Sequence, residues 1–165
     1  MAILGSETTT DQILEGVDLN GRHFVVTGAS SGLGEESVRA LSSAGASVTM
    51  LARNSEKIDA AADRIRASVP SADLEKGIVD LADMSSIRSY AESFLQKERA
   101  IDVLINNAGV MACPRLTTND GFEMQFGTNH LGHFLLTNLL MPAIRTGHKP
   151  RIINLSSAGH THSDV

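Results

Sequence analysis

Apolar and polar positions along the chain alternate between two periods. In HFVVT (residues 23–27) aromatic and β-branched side chains follow one another without a break, and from 33 to 44 Leu33, Val38, Leu41 and Ala44 recur at helical spacing until Gly45 closes the segment. SVTML (47–51) repeats the first stroke, and Ile58, Ala62, Ile65 and Val69 repeat the second, stopped by Pro70. Residues 74–79 form a weaker third strand. Asp83 reads as an N-cap, and Ile87, Tyr90, Ala91, Phe94 and Leu95 follow at i, i+3, i+4, i+7 and i+8, the clearest amphipathic helix in the chain. IDVLI (101–105) is a fourth strand, one long helix is expected over 120–145 with irregularity at Gly127 and Gly132, and RIINL (151–155) is a fifth strand. Residues 1–19 carry no sustained period and are expected to form an N-terminal arm ahead of one domain over 20–165.

Regular alternation of strand and helix predicts an α/β fold with a parallel sheet. Parallel neighbours need crossover connections, and these put helices on both faces. Ligands of such sheets bind outside the carboxyl ends of the strands. That rim is where the unusual residues gather. Thr27-Gly28-Ala29-Ser30-Ser31-Gly32-Leu33-Gly34 follows the first strand, Arg53 the second, Asn106-Asn107-Ala108-Gly109 the fourth and Ser156-Ser157 the fifth.

The stretch VVTGASSGLGEE (25–36) admits two chemistries. Gly28-Ala29-Ser30-Ser31-Gly32 matches the Gly-x-Ser-x-Gly elbow of a serine hydrolase, with Ser30 as nucleophile. Read from Thr27 and Gly28 to Gly32 and Gly34, it is a turn that brings backbone N–H groups and a helix N-terminus to a phosphate. The elbow needs an oxyanion loop earlier in the chain and an ordered acid and histidine after it. Nothing like His-Gly-Gly-Gly precedes Ser30, and His160 and His162 are candidates for the histidine only in that they exist. The cradle is therefore the favoured reading. Glycine at 28 permits the turn, and glycines at 32 and 34 let a diphosphate approach and the helix pack against the strand.

Composition narrows the partners. With 165 residues, 42% of them hydrophobic, the chain can bury one core. A net charge of −5 with no run of Lys or Arg offers no footprint for nucleic acid or an anionic membrane. Cys113 is the only cysteine, so no internal disulfide forms. The opening MAILGSETTTDQILEG lacks the apolar core of a signal peptide. The apolar segment 131–144 is broken by His133, Thr137, Asn138 and Pro142 and is too short to span a bilayer. A soluble cytoplasmic protein is expected. His130 and His133, three apart, have no third ligand at suitable spacing, so no metal is expected.

Thr-Gly-x-x-x-Gly-x-Gly after the first strand, Asn-Asn-Ala-Gly after the fourth, Asn129 within QFGTNHLGHF (125–134) and the strand RIINLSSAGH (151–160) resemble the short-chain dehydrogenase/reductase family. The wording around Asn129 and Ser157 is similar to the branch that holds retinol dehydrogenases, WW-domain oxidoreductases and protochlorophyllide reductases. The resemblance covers residues 22–160. It implies a Rossmann-type doubly wound sheet of about five strands, order 3-2-1-4-5, and a nicotinamide dinucleotide. Thr27, Gly28, Ser30, Ser31, Gly32, Leu33 and Gly34 would form the phosphate loop, Asp80 and Leu81 would border the adenine, and Asn106, Ala108 and Gly109 would line the cofactor. Arg53 stands where an acid would select NAD(H), so NADP(H) is favoured over NAD(H), although Ser31 occupies the family's other basic position. Asn129 would help hold a proton-relay water, and Ser157, with Ser156 as the off-by-one alternative, would hydrogen-bond the substrate.

The resemblance also implies a Tyr-x-x-x-Lys segment after the fifth strand, and none lies within the 165 residues. The one tyrosine, Tyr90, sits on the apolar stripe of an earlier helix. The expectation is an oxidoreductase of hydrophobic alcohols or carbonyl compounds represented by its N-terminal part, ending after the fifth strand and inactive or nearly so by itself. A non-catalytic NADP(H)-binding module is the alternative, and a serine hydrolase a further one. Ending at the fifth strand would leave a sheet edge and the 120–145 helix exposed, and self-association through them is expected.

Overall fold

The computed structural model describes residues 5–157. Its elements run α1 (Thr10–Leu14), β1 (His23–Thr27), α2 (Gly32–Ser43), β2 (Ser47–Ala52), α3 (Ser55–Ser68), β3 (Asp73–Ile78), α4 (Met84–Leu95), β4 (Val103–Asn106), α5 (Met124–Phe126), a π-helical segment (Gly127–Gly132), α6 (His133–Arg145) and β5 (Arg151–Asn154). The five strands form one parallel sheet in the order β3-β2-β1-β4-β5, a Rossmann-type doubly wound arrangement. Val25 pairs with Thr49 on one side and Leu104 on the other, and Ile105 pairs with Ile153.

Alternate side chains of the central strands β1, β2 and β4 feed two cores. Phe24 and Val26 of β1, with Val48, Met50 and Ala52 of β2, pack against Val38 of α2 and Ile58, Ala61, Ala62 and Ile65 of α3. Val25 and Leu51 point the other way, onto Ile87, Ala91 and Phe94 of α4 and Leu136, Leu140 and Ile144 of α6. A strand buried on both faces reads as a continuous apolar run, which is why HFVVT showed no alternation. The chain lays β2 and β3 to one side of β1 and β4 and β5 to the other. The strand order therefore reverses between β1 and β4, and a crevice opens at their carboxyl ends.

Two elements depart from the sequence expectation. The helix over 120–145 does not start at Asp120: residues 117–123 form a turn in which Thr118 N–H donates to the Phe122 carbonyl and Gly121 adopts a φ of +83°. The Glu123 carboxylate then accepts N–H bonds from Gln125 and Phe126 and starts α5, and the π segment precedes α6. Gly127 and Gly132 frame the π segment because a Cβ at either would collide, with the Thr118 side chain and with the Leu81 carbonyl respectively. The arm likewise has structure of its own. Thr9 and Gln12 form a capping box on the five-residue α1, and Arg39 of α2 clasps it through Asp11 and Thr10. Five residues are too few to show a period.

Among the described residues no helix is long and apolar enough to cross a membrane, and no group of three or more His, Cys, Asp or Glu is arranged to hold a metal. His160 and His162 lie outside the described residues.

Candidate active site

The chain leaves β1 at Thr27 and turns through Gly28 with a φ of +67°. A Cβ on Gly28 would lie 2.8 Å from Ala108 Cα, so the position needs glycine for space as well as conformation. At Gly34 an added Cβ would collide with the Gly28 carbonyl and the Asn107 amide. The missing side chain lets α2 seat directly on the turn. Asn54 and Asp83 cap α3 and α4 through their side chains, but Ser31 makes no such bond at the head of α2. The leading N–H groups of α2 are thus left open to an anion.

These residues form one wall of an open groove of about 1400 Å³ that follows the carboxyl ends of the strands. Thr27, Gly28, Ser30, Ser31, Leu33, Gly34, Arg53, Asp80, Leu81, Asn106, Ala108, Gly109, Asn129 and Ser157 all line it. Gly32 does not. Its φ is +57°, and it borders a smaller depression of about 270 Å³ beside Glu35, Arg39 and Arg64. Its role is to turn the chain into α2.

At one end of the groove Arg53 and Lys57 are exposed, and neither forms an ion pair among the described residues. Lys57 was missed in the sequence reading, which stopped at the strand end; its place in the first turn of α3 was the signal. Asp80 accepts the Ala82 N–H at 2.9 Å through Oδ1, an Asx turn at the groove's edge.

In the middle of the groove the Asn-Asn-Ala-Gly turn is held from both sides. Asn106 donates to Thr137 Oγ1 at 3.0 Å and Asn154 Oδ1 at 2.8 Å, so its amide joins β4 to α6 and β5. The residue that reaches the glycine loop is Asn107, whose Nδ2 donates to the Thr27 carbonyl at 2.8 Å. The Thr27 hydroxyl accepts the N–H groups of Asn107 at 2.9 Å and Ala108 at 3.0 Å. Beyond the turn, Asn129 accepts the Val110 N–H and donates to the Val110 carbonyl, both at 2.8 Å. Asn129 sits in the π segment rather than in regular helix, and it is exposed rather than a buried packing amide. π-bulges recur at functional sites because they re-aim such side chains.

His133 is buried, and its Nε2 lies 2.8 Å from Thr27 Oγ1. His130 is exposed and stacks between Phe126 and Phe134, with ring centroids 5.1 and 6.5 Å apart. At the far end, Ser156 and Ser157 line the groove near the exposed apolar side chains of Met111, Phe134 and Leu155. Ser30 hydrogen-bonds no histidine among the described residues, and the candidate bases of the elbow reading, His160 and His162, lie outside them. Tyr90 is outside the groove. It packs on Phe94 and beneath Gly77, and burial pushes its phenol pKa up.

A family model described as short chain dehydrogenase matches residues 22–163. The chain belongs to the short-chain dehydrogenase family. Within it, the chain is 47% identical to human retinol dehydrogenase 13 over 145 residues, 88% of this chain and 44% of that protein. It is 39% identical to the Brassica napus chloroplastic short-chain dehydrogenase TIC 32 B over 164 residues, 96% of this chain and 51% of that protein. The chain thus spans about half the length of the curated relatives it matches. Among solved structures, a Mycobacterium paratuberculosis protein superposes with a TM-score of 0.76 at 41% identity, covering 93% of this chain and 51% of that one. A metagenomic short-chain oxidoreductase in complex with NADP superposes with a TM-score of 0.71 at 34% identity, covering 84% of this chain and 63% of that one.

Proposed function

We propose that the groove binds NADP(H) in preference to NAD(H) and serves an oxidoreductase of hydrophobic alcohols or carbonyl compounds. The observation that carries this reading is Arg53, exposed at the end of β2 without an acidic partner among the described residues and one turn from Lys57. The open N-terminus of α2 would hold the diphosphate, and Arg53 with Lys57 would hold the ribose 2′-phosphate. The nicotinamide, when bound, would supply or accept hydride. Ser157 would donate a hydrogen bond to the substrate oxygen, and Asn129 would fix the Val110 segment beside it. Met111, Phe134 and Leu155 give that end of the groove an apolar lining, in keeping with the retinol dehydrogenases among its relatives. The metagenomic relative that carries NADP supports the cofactor choice by likeness.

Titration of NADPH and NADH into the 165-residue chain and its Arg53→Ala variant tests the preference. A charge-assisted contact contributes about 1.5–3 kcal/mol, so NADPH should bind at least about tenfold tighter than NADH, and Arg53→Ala should remove most of that margin. Equal affinities in the unsubstituted chain would contradict the reading.

A second reading, a cofactor-binding unit without turnover of its own, is favoured by Tyr90. The only tyrosine in the sequence is buried away from the groove and cannot reprotonate an alkoxide there. A positioned acid contributes about 10²–10⁴-fold. NADPH oxidation by the 165-residue chain with a panel of aldehydes and ketones should be slower than in full-length relatives by at least that order. Family-like turnover, lost in Ser157→Ala, would reject this second reading.

A further inference from the structure

His133 stands at the join of the three segments that form the middle of the groove. The buried imidazole has two polar neighbours: Nδ1 lies 2.9 Å from the Asn129 carbonyl oxygen, and Nε2 lies 2.8 Å from Thr27 Oγ1. A carbonyl only accepts, so the ring proton is on Nδ1, and Nε2 must accept from the Thr27 hydroxyl. That hydroxyl has one proton and two lone pairs. The lone pairs receive the Asn107 and Ala108 N–H groups at 2.9 and 3.0 Å. The proton has one other acceptor among the described residues, the Ile105 carbonyl at 3.4 Å, which is too distant to compete.

The bonds close into a ring. From Thr27 it passes to Asn107 and Ala108, through Gly109 to Val110, across the Asn129 side chain, and back through the Asn129 carbonyl and His133 to Thr27. We propose that His133 is a positioning residue: its neutral Nδ1–H imidazole orients the Thr27 hydroxyl and thereby locks the Asn-Asn-Ala-Gly turn to the π segment at the centre of the cofactor groove. Neither a cationic ring nor the Nε2–H tautomer serves. Each places a proton on Nε2 against an oxygen whose lone pairs are already engaged, so one of the two turn N–H groups would be displaced from Thr27; the Asn107 N–H also reaches the Ile105 carbonyl at 3.1 Å, and the Ala108 N–H is the one that depends on the hydroxyl. Burial, the larger influence, lowers the pKa of His133, and the Asn129 carbonyl opposes it less strongly.

The consequence for cofactor affinity rests on the NADP(H) reading above; the ring itself does not. The test therefore has two arms on the 165-residue chain. In the first, the ¹⁵N shifts of His133, assigned by comparison with His133→Gln, should report a protonated Nδ1 and an unprotonated Nε2 at pH 7.5. The amides of Asn107 and Ala108 should be protected from hydrogen exchange. In the second, NADPH is titrated into His133→Phe and His133→Gln. Phenylalanine fills the site without polar atoms, and it should expose the Ala108 amide to exchange, the Asn107 amide less because it keeps the Ile105 carbonyl, and weaken NADPH at least about tenfold. Glutamine can still offer an acceptor near the Nε2 position, and it should recover most of the protection and affinity. An Nε2–H or cationic ring, or a phenylalanine variant with unchanged amide protection, would overturn the proposal. Absence of NADPH binding in the unsubstituted chain would instead overturn the cofactor reading and leave the first arm to judge the ring; were His133→Phe to misfold, the tautomer and the glutamine variant decide.

Discussion

Gly34 has no room for a side chain, because a Cβ there would meet the Gly28 carbonyl and the Asn107 amide at once. Overpacking of this kind costs about 1–3 kcal/mol, and at Gly34 the displaced atoms are those that shape the phosphate turn. Gly34→Val should lower the thermal midpoint and abolish NADPH binding. Ser30→Ala should leave binding largely intact, since the turn offers a phosphate its backbone N–H groups and the head of α2, which the substitution keeps. Calorimetric titration of both variants checks this, and retention of affinity in Gly34→Val would contradict the packing argument. At this scale the site was legible where a residue type announces its own constraint: glycines in a turn, an arginine where an acid belongs. Asn107 and His133 were not legible. Their partners are Thr27 and Gly28, some eighty and a hundred residues away in the chain, and only the fold brings them together.

β1 owes its anchoring at the amino end to one histidine. His23 Nδ1 donates to the Ala100 carbonyl at 2.7 Å, Nε2 accepts from Thr49 Oγ1 at 2.8 Å, and the ring stacks on Phe94 at 6.1 Å. Its N–H donates to Asp102, which also accepts from the His148 N–H and pairs with Arg22, so β1, β2, the start of β4 and the approach to β5 share one polar joint. Burial is the main cause that lowers the His23 pKa below 6.5. The unfolded chain therefore takes up a proton that the folded chain resists. The stability this neutral ring contributes is complete above about pH 6.5 and is lost as pH falls toward its lower folded value. His133 acts in the same direction. The thermal midpoint should be lower at pH 5 than at pH 7.5, and the drop should be smaller in His23→Gln. A midpoint that does not change across that window would contradict the assignment of a buried neutral imidazole.

Element type was largely set by local pattern, and element boundaries were not. The run 23–27 became β1 because a continuous apolar strand is buried on both faces, and the stripe through Ile87, Ala91 and Phe94 became α4 because the helix buries the face its period presents. The start of the long helix was misplaced, since Asp120-Gly121 closes a turn and Glu123 supplies the cap. The π segment also has no period of its own; it exists because Gly127 and Gly132 allow contacts with Thr118 and Leu81 that any other residue would block.

For the molecule as a whole, a net charge of −5 means that an anionic ligand is held by local geometry rather than by a general field. The open head of α2, the Arg53 and Lys57 corner and the Asn-Asn-Ala-Gly turn line one groove at the point where the strand order reverses. That convergence is the central claim, and mapping backbone amide shifts during an NADPH titration tests it most directly. The account predicts saturable changes at Gly28, Gly34, Arg53, Lys57, Ala108 and Gly109, with little change at Arg39 and Arg64 behind α2. Shifts confined to the Arg39 and Arg64 side, or none at millimolar NADPH, would contradict it.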